Sequence, residues 1–328
     1  MSVEGTSWHR TKNGNNSGEL TLGYRGLAIA ALMLFLFPFG VAQTQVATPA
    51  PLGRLVDVGG YRVHLYCVGA GTPTVVITGA GYSFDWGLVQ PEVAKFTRVC
   101  AYDHSGVAWS DTGPTDTCSL RVGEIHAALR NAKVDGPYLL VGHSLGALVS
   151  RLYANKYSDE ITGMVIVDHA STFTNLPWTR PTLFGRKDGN RYGIQSPAPV
   201  APVNPLVDVL SESANSDFQK LPANDYQLHL WGDSLPGHAA TMARNGAMVP
   251  ECVADIEAAT RNQIHPLGDK PLIVLSTGAG PSYAALSSNG KQVVVSDSSH
   301  YIMVDRPDVV IGAIREVVEA ARGHSGLK

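Results

Sequence analysis

The chain has 328 residues, with 25 Lys and Arg against 28 Asp and Glu, and a formal net charge of −3. Apolar residues make up 44% and charged residues 16%; that much apolar material excludes a wholly disordered, coiled-coil or collagen-like chain and is ample for one large core. Near-neutral charge without any Lys/Arg run leaves no electrostatic footprint for nucleic acid.

In chain order, the first feature is the run at 26–42, GLAIAALMLFLFPFGVA, uncharged and preceded by Arg10, Lys12 and Arg25. It has no polar face, which argues against a buried core helix. It reads either as an export signal cleaved near Ala42, after the small residues Gly40 and Ala42, or as an uncleaved membrane anchor. Either way Arg25 stays on the cytoplasmic side, and the remainder is expected to be exported. Residues 1–51, including the linker around Pro49 and Pro51, therefore stand outside the fold.

Two alternating runs, 54–58 and 61–68, flank Gly59-Gly60 and predict a β-hairpin. Near-continuous apolar runs at 74–78, 98–103, 138–142, 163–168, 272–277 and 291–296 predict parallel strands buried on both faces. Between them lie helical stripes. One holds Leu120, Val122, Ile125, Ala128 and Leu129, and a second holds Leu145, Leu148, Val149, Leu152 and Tyr153. The third, Val310, Ile314, Val317, Val318 and Ala321, has Pro307 in its first turn. Strand–helix alternation means an α/β fold with a mostly parallel sheet, divided into 52–170 and 267–322. The opening hairpin and the interruption at 171–266 exclude a closed eightfold barrel. That interruption is rich in proline, with interleaved Trp178, Phe184 and Trp231, and is expected to be an inserted lid; within it 252–263 reads as a helix.

Four cysteines allow two bridges in any of three connectivities, and the sequence does not choose among them. Cys100, inside the 98–103 run, reads as a small hydrophobe. Cys118 and Cys252 sit in loop-like surroundings, where a bridge between them is one option. No Cys-x-x-Cys occurs, and neither a metal nor a cofactor is expected.

The chemistry is carried by Gly142-His143-Ser144-Leu145-Gly146, set between an apolar strand and an amphipathic helix. A sharp turn there needs glycine two residues before and two after the serine, because a Cβ at either place would crowd the bend. Ser144 Oγ then stands above the sheet at a helix N-terminus, with the Leu145 N–H as an oxyanion donor. A serine nucleophile needs a base, and in this arrangement the base belongs on the loop after the last strand: His300. His143 adjoins the nucleophile but points elsewhere by the geometry of the turn, and His169, His104 and His238 are the reserve candidates. The base in turn needs a carboxylate. The loop after the 272–277 strand contains no Asp or Glu, so the role falls to Asp168, at the end of the strand following the nucleophile; Asp297 is the rival. A second oxyanion donor is expected from Gly79-Ala80-Gly81-Tyr82, with Gly81 first and Ala80 second. This loop matches neither phosphate-binding glycine pattern.

From about Arg54 to Arg322 the chain resembles the α/β-hydrolase superfamily, in the branch similar to esterases and prolyl aminopeptidases. The resemblance is carried by Asp85-Trp86, Tyr102-Asp103 with Ser105-Gly106 and Trp109-Ser110-Asp111, the 142–146 motif, Val165-Ile166-Val167-Asp168, and Ser299-His300-Tyr301-Ile302. It departs from the pattern at Gly79-Ala80, where the superfamily usually has histidine-glycine, and in the acid's position. The resemblance implies a mostly parallel sheet of the eight-stranded type flanked by helices, with an inserted lid. It also implies a serine hydrolase acting on a small-molecule ester, or on an amide as the alternative, through Ser144, His300 and Asp168. A ligand-binding protein without catalysis is a further alternative that the fold permits.

Overall fold

The near-continuous apolar runs assemble into an eight-stranded sheet in the order β1-β2-β4-β3-β5-β6-β7-β8. Its strands are β1 (Arg54–Asp57), β2 (Arg62–Val68), β3 (Thr74–Thr78), β4 (Val99–Asp103), β5 (Tyr138–Ser144), β6 (Ile161–His169), β7 (Leu272–Ser276) and β8 (Gly290–Val294). The computed structural model describes residues 48–79, 81–114, 116–169, 217–278, 283–323 and 325–327. β3, β4, β5 and β7 are buried along their whole length, in keeping with their largely apolar runs. The edge strands β1 and β8 are partly exposed.

One strand differs from expectation in its pairing. The run at 98–103 reads as parallel, yet β4 pairs antiparallel with β2 on one side and parallel with β3 on the other. A strand buried on both faces carries no alternation that would reveal its partner's direction, so the hairpin strand β2 docks beside it unannounced.

Both faces of the sheet are covered. On one lie α1 (Cys118–Asn131), α2 (Leu145–Lys156) and α4 (His238–Thr260), whose Val122, Ile125, Leu148, Leu152, Met248 and Ile256 share a core with Leu140 and Ile166 of the sheet. On the other lies α5 (Pro307–Gly323), burying Val310, Ile314, Val317 and Val318 against Val75, Ile77, Val165 and Ile273. The start of α1 is fixed by Thr117, whose Oγ1 accepts the Leu120 N–H at 3.1 Å.

Of the stretch 171–266, expected to be an inserted lid, the structure describes the part from residue 217 on. It contains α3 (Ala223–Asp233), which has no counterpart in the sequence reading, and α4, which begins at His238 rather than 252 and runs through Pro250. The expected signal or anchor at 26–42 lies outside the described residues, as do Trp178 and Phe184. No helix among the described residues is long and apolar enough to cross a membrane.

All four cysteines are paired. Cys67 bridges Cys100, and Cys118 bridges Cys252. Cys100 is thus a half-cystine and not a free hydrophobe: in the antiparallel β2–β4 register it lies directly opposite Cys67. Cys118 and Cys252 are not in loops. The first opens α1 and the second lies within α4, so their bridge ties the insertion to the core across 134 residues of chain.

Candidate active site

Ser144 ends β5 and immediately precedes α2, with φ 55° and ψ −123°. Such a left-handed backbone at a non-glycine residue is strained by about 1–3 kcal/mol and persists only where its surroundings enforce it. The flanking glycines show the enforcement. A Cβ at Gly142 would stand 2.5 Å from Ala147 Cα, and one at Gly146 would stand 2.3 Å from the Thr78 carbonyl oxygen. β5, α2 and β3 therefore meet backbone to backbone at the bend. Thr78 Oγ1 secures the contact by donating to the Gly146 carbonyl at 3.0 Å. Leu145 opens α2, where no carbonyl of its own helix can reach its N–H, leaving that donor available to an anion.

Asp168 sits at the same edge of the sheet. A register irregularity after His143 brings Ser144 opposite His169, next to Asp168, which is itself left-handed at φ 38°. The side chain of Asp168 is almost fully buried, and its Oδ2 lies 2.7 Å from His300 Nδ1. Its Oδ1 accepts the Thr277 backbone N–H at 3.2 Å, with Thr277 Oγ1 3.3 Å away. Burial pushes the Asp168 carboxyl up, but the hydrogen bond and charge of His300, joined by the Thr277 N–H, outweigh it and hold the group below the usual carboxylate range. The loop after β7 lacks an acid, as the sequence shows. What it supplies instead is Thr277, which orients an acid from the neighbouring strand.

His300 is held from a second side. The His143 ring lies 4.5 Å from the His300 ring, and His143 Nε2 donates to the His300 carbonyl at 3.0 Å. Burial, and then the nearby charge of His300, push His143 down to about 3, so it stays neutral with Nε2 as the donor. His143 thus points away from a role as base and tethers the loop that bears His300. Sequence reasoning passed over Thr277, and it set His143 aside as a base without finding its tie to the His300 loop. A threonine at a strand end and a histidine inside the motif carry no mark of their partners.

The other candidates are engaged elsewhere. Asp297 is exposed and pairs with Arg306 at 2.5 Å. His104 is buried with its Nδ1 3.0 Å from the Ser105 carbonyl. His169 takes an Arg151 N–H at 3.0 Å; burial, then the Arg151 charge, push it down to about 3. His238 lies 2.5 Å from the Tyr82 hydroxyl.

Of the expected oxyanion loop, Ala80 lies outside the described residues. Gly81 packs so closely on Asp85 that a Cβ would stand 2.6 Å from Oδ2, the oxygen that accepts the Tyr82 N–H at 2.9 Å. Trp231 is buried, 5.1 Å from the Trp109 ring, and belongs to an aromatic cluster with Tyr82 and Phe84. Among the described residues no group of three or more His, Cys, Asp or Glu is placed to hold a metal ion.

The family model of the alpha/beta hydrolase fold matches residues 75–307. The YqjL protein of Bacillus subtilis is 24% identical over 286 residues, covering 82% of this chain and 92% of that one. A protein of Schizosaccharomyces pombe is 37% identical over an alignment of 144 residues that covers 34% of this chain and only 27% of that longer relative. The 2-hydroxy-6-oxo-2,4-heptadienoate hydrolase of Pseudomonas putida is 29% identical over 127 residues, covering 36% of this chain and 45% of the enzyme. Among solved structures, a meta-cleavage product hydrolase from Pseudomonas fluorescens superposes with a TM-score of 0.57 at 18% identity, covering 82% of this chain and 98% of the other. An epoxide hydrolase superposes at 0.55 with 19% identity, covering 80% and 95%. At these identities the structural likeness speaks for the fold.

Proposed function

The chain belongs to the alpha/beta hydrolase fold family, and from that premise we propose that it is a serine hydrolase that cleaves a small carboxylic ester through an acyl-enzyme. The observation that carries this reading is the 2.7 Å Asp168–His300 hydrogen bond at the sheet edge where Ser144 is held in its strained bend. Asp168 fixes the proton of His300 on Nδ1, leaving Nε2 to act as base. Ser144 Oγ attacks the ester carbonyl as Nε2 takes its proton. The oxyanion is stabilised by the N–H groups of Leu145 and Gly81. The imidazolium then gives the proton to the departing alkoxide, which leaves as the alcohol. Water, deprotonated by the same nitrogen, attacks the acyl-enzyme; the acid is released and Ser144 regains its proton. A serine at position 144 argues against chemistry that needs an aspartate nucleophile there, such as opening an epoxide through an ester intermediate.

The test is labelling by a fluorophosphonate probe together with turnover of short- and long-chain nitrophenyl esters and of proline nitroanilide. Labelling and ester turnover that vanish in Ser144→Ala support the reading. Turnover of the anilide alone would replace esters with amides. A folded protein that takes no label at all would refute it.

A further inference from the structure

Helix α3 buries Leu228 and Trp231 against Tyr82, Phe84 and Trp109, and beside this apolar contact it turns a polar row toward the same turn. Asp225, His229 and Asp233, spaced four residues apart on one face, all meet the turn that follows the oxyanion loop. Asp225 fills the space over Gly87, where a Cβ would lie 2.1 Å from its Oδ2. Asp233 Oδ1 accepts the Tyr82 hydroxyl at 3.0 Å, and a Cβ at Gly232 would press into the Tyr82 ring at 2.6 Å. Between them His229 Nδ1 donates to Asp85 Oδ1 at 2.8 Å, both side chains being buried. The other oxygen of Asp85 is the one that accepts the Tyr82 N–H and rests against Gly81.

Buried charge is expensive unless it is paired, and the apolar contact of Leu228 and Trp231 already seats the helix, so the buried His229–Asp85 pair is not needed for docking alone. The imidazole is also fixed in orientation, stacked at 4.0 Å on Phe218 and edge-on at 5.7 Å to Tyr82. Burial alone would strip His229 of its proton, but Asp85 outweighs it and raises the imidazole above its ordinary pKa. The arrangement is a chain of contacts running from the insertion, through one carboxylate, to the backbone at 81–82.

We infer that Asp85 and His229 are positioning residues for the oxyanion hole: His229 of α3 fixes the Asp85 carboxylate, and the carboxylate, by accepting the Tyr82 N–H and resting against Gly81, holds the turn that presents the Gly81 N–H to the reacting carbonyl. This rests on the serine-hydrolase reading above, and makes docking of α3 a condition for transition-state stabilisation. Oxyanion donors act only when placed within a fraction of an ångström, so loosening this pair lowers kcat while leaving KM nearly unchanged.

Two variants of similar bulk separate positioning from packing. In His229→Asn the side-chain amide nitrogen falls at about the place of Nδ1 and still reaches Asp85. In His229→Gln it falls near Nε2 and misses. The readouts are kcat and KM on a nitrophenyl ester, and the phosphonylation rate of Ser144, each per site titrated with the fluorophosphonate so that misfolded molecules do not count. The expected result is a 10- to 100-fold loss of kcat and of phosphonylation rate in the Gln variant, with KM within about twofold, and recovery to within a few-fold of wild type in the Asn variant. Equal kcat in wild type, Asn and Gln proteins, with only the melting temperature altered, would overturn the inference and leave the pair as packing. Failure of the wild type itself to be labelled would instead refute the serine-hydrolase reading, before any variant is compared.

Discussion

Replacing Asp168 by Asn tests the proposed mechanism at its most exposed step. The carboxylate receives hydrogen bonds on both oxygens, from His300 Nδ1 at 2.7 Å and from the Thr277 N–H at 3.2 Å. An amide has one acceptor oxygen, so it cannot serve both. With its oxygen toward His300, its NH2 faces the Thr277 N–H, donor against donor. With its oxygen toward Thr277, its NH2 faces Nδ1 and drives the imidazole proton to Nε2, the atom that must receive the proton of Ser144. The second orientation removes the base, and either one removes the negative charge that stabilises the imidazolium. The combined loss expected from the wrong tautomer is about 10⁴-fold in kcat, or about 5.5 kcal/mol of transition-state stabilisation. Steady-state turnover of a nitrophenyl ester measures it, and circular dichroism verifies folding. Asp297→Asn, the rival acid, serves as the control: that residue is exposed and paired only with Arg306, so its turnover is expected to stay within about twofold of wild type. Loss of activity in Asp297→Asn, with Asp168→Asn active, would refute the assignment.

Three further outcomes follow from the geometry. His143 and His169, both pushed down to about 3 by burial, stay neutral in the folded protein while their unfolded counterparts take up protons below about 6.5; the stability they contribute is present above that pH and is lost as pH falls toward 3. Urea unfolding is expected to show a loss of about 2 kcal/mol for each between pH 7 and pH 5, and His169→Gln to remove one such share; equal stability at both pH values would contradict it. Removing the Cys118–Cys252 bridge by a double Ala substitution frees a 134-residue loop, for a loss of up to about 5 kcal/mol and a melting temperature lower by about 10 °C; an unchanged thermal scan would show that the bridge does not constrain the unfolded chain. Gly146→Ala drives a methyl into the Thr78 carbonyl, so α2 and β3 must part; a destabilisation of about 1–3 kcal/mol with loss of ester turnover is expected, and a stable, active variant would mean the bend has slack.

What could be read from the amino-acid order, and what could not, divides along physical lines. Strands β3, β5, β6 and β7 announce themselves because burial on both faces demands unbroken apolar runs. The bend at Ser144 announces itself because only glycine tolerates the contacts at 142 and 146. Asp168 emerges from a local fact, the end of an apolar strand, joined to the lack of an acid after the next one. The Cys67–Cys100 bridge is different in kind. It depends on β2 lying beside β4, strands separated in sequence by β3, and nothing in either strand states that adjacency. Thr277 likewise acts through its backbone N–H, which every residue but proline carries.

Helix α3 marks the limit most sharply. Periodicity identifies a helix by its apolar stripe, and α3 has only Leu228 and Trp231 for one, while the row beside it that meets Tyr82 and Asp85 is Asp225, His229 and Asp233. A pattern search assigns such residues to solvent. Their burial makes sense only against a partner surface that is itself polar, here Tyr82 and Asp85, residues some 140 positions earlier in the chain. Stability alone gives no reason to add the polar pair, since the apolar contact of Leu228 and Trp231 with Tyr82, Phe84 and Trp109 already holds α3. A directional contact does what an apolar one cannot: it fixes the rotation of the Asp85 carboxylate, and through it the direction of a backbone N–H. A hydrogen bond also has a defined length and angle, so α3 is either seated, with the loop aimed, or displaced, with the carboxylate free to turn. That difference separates a helix that covers the site from one that helps to form it.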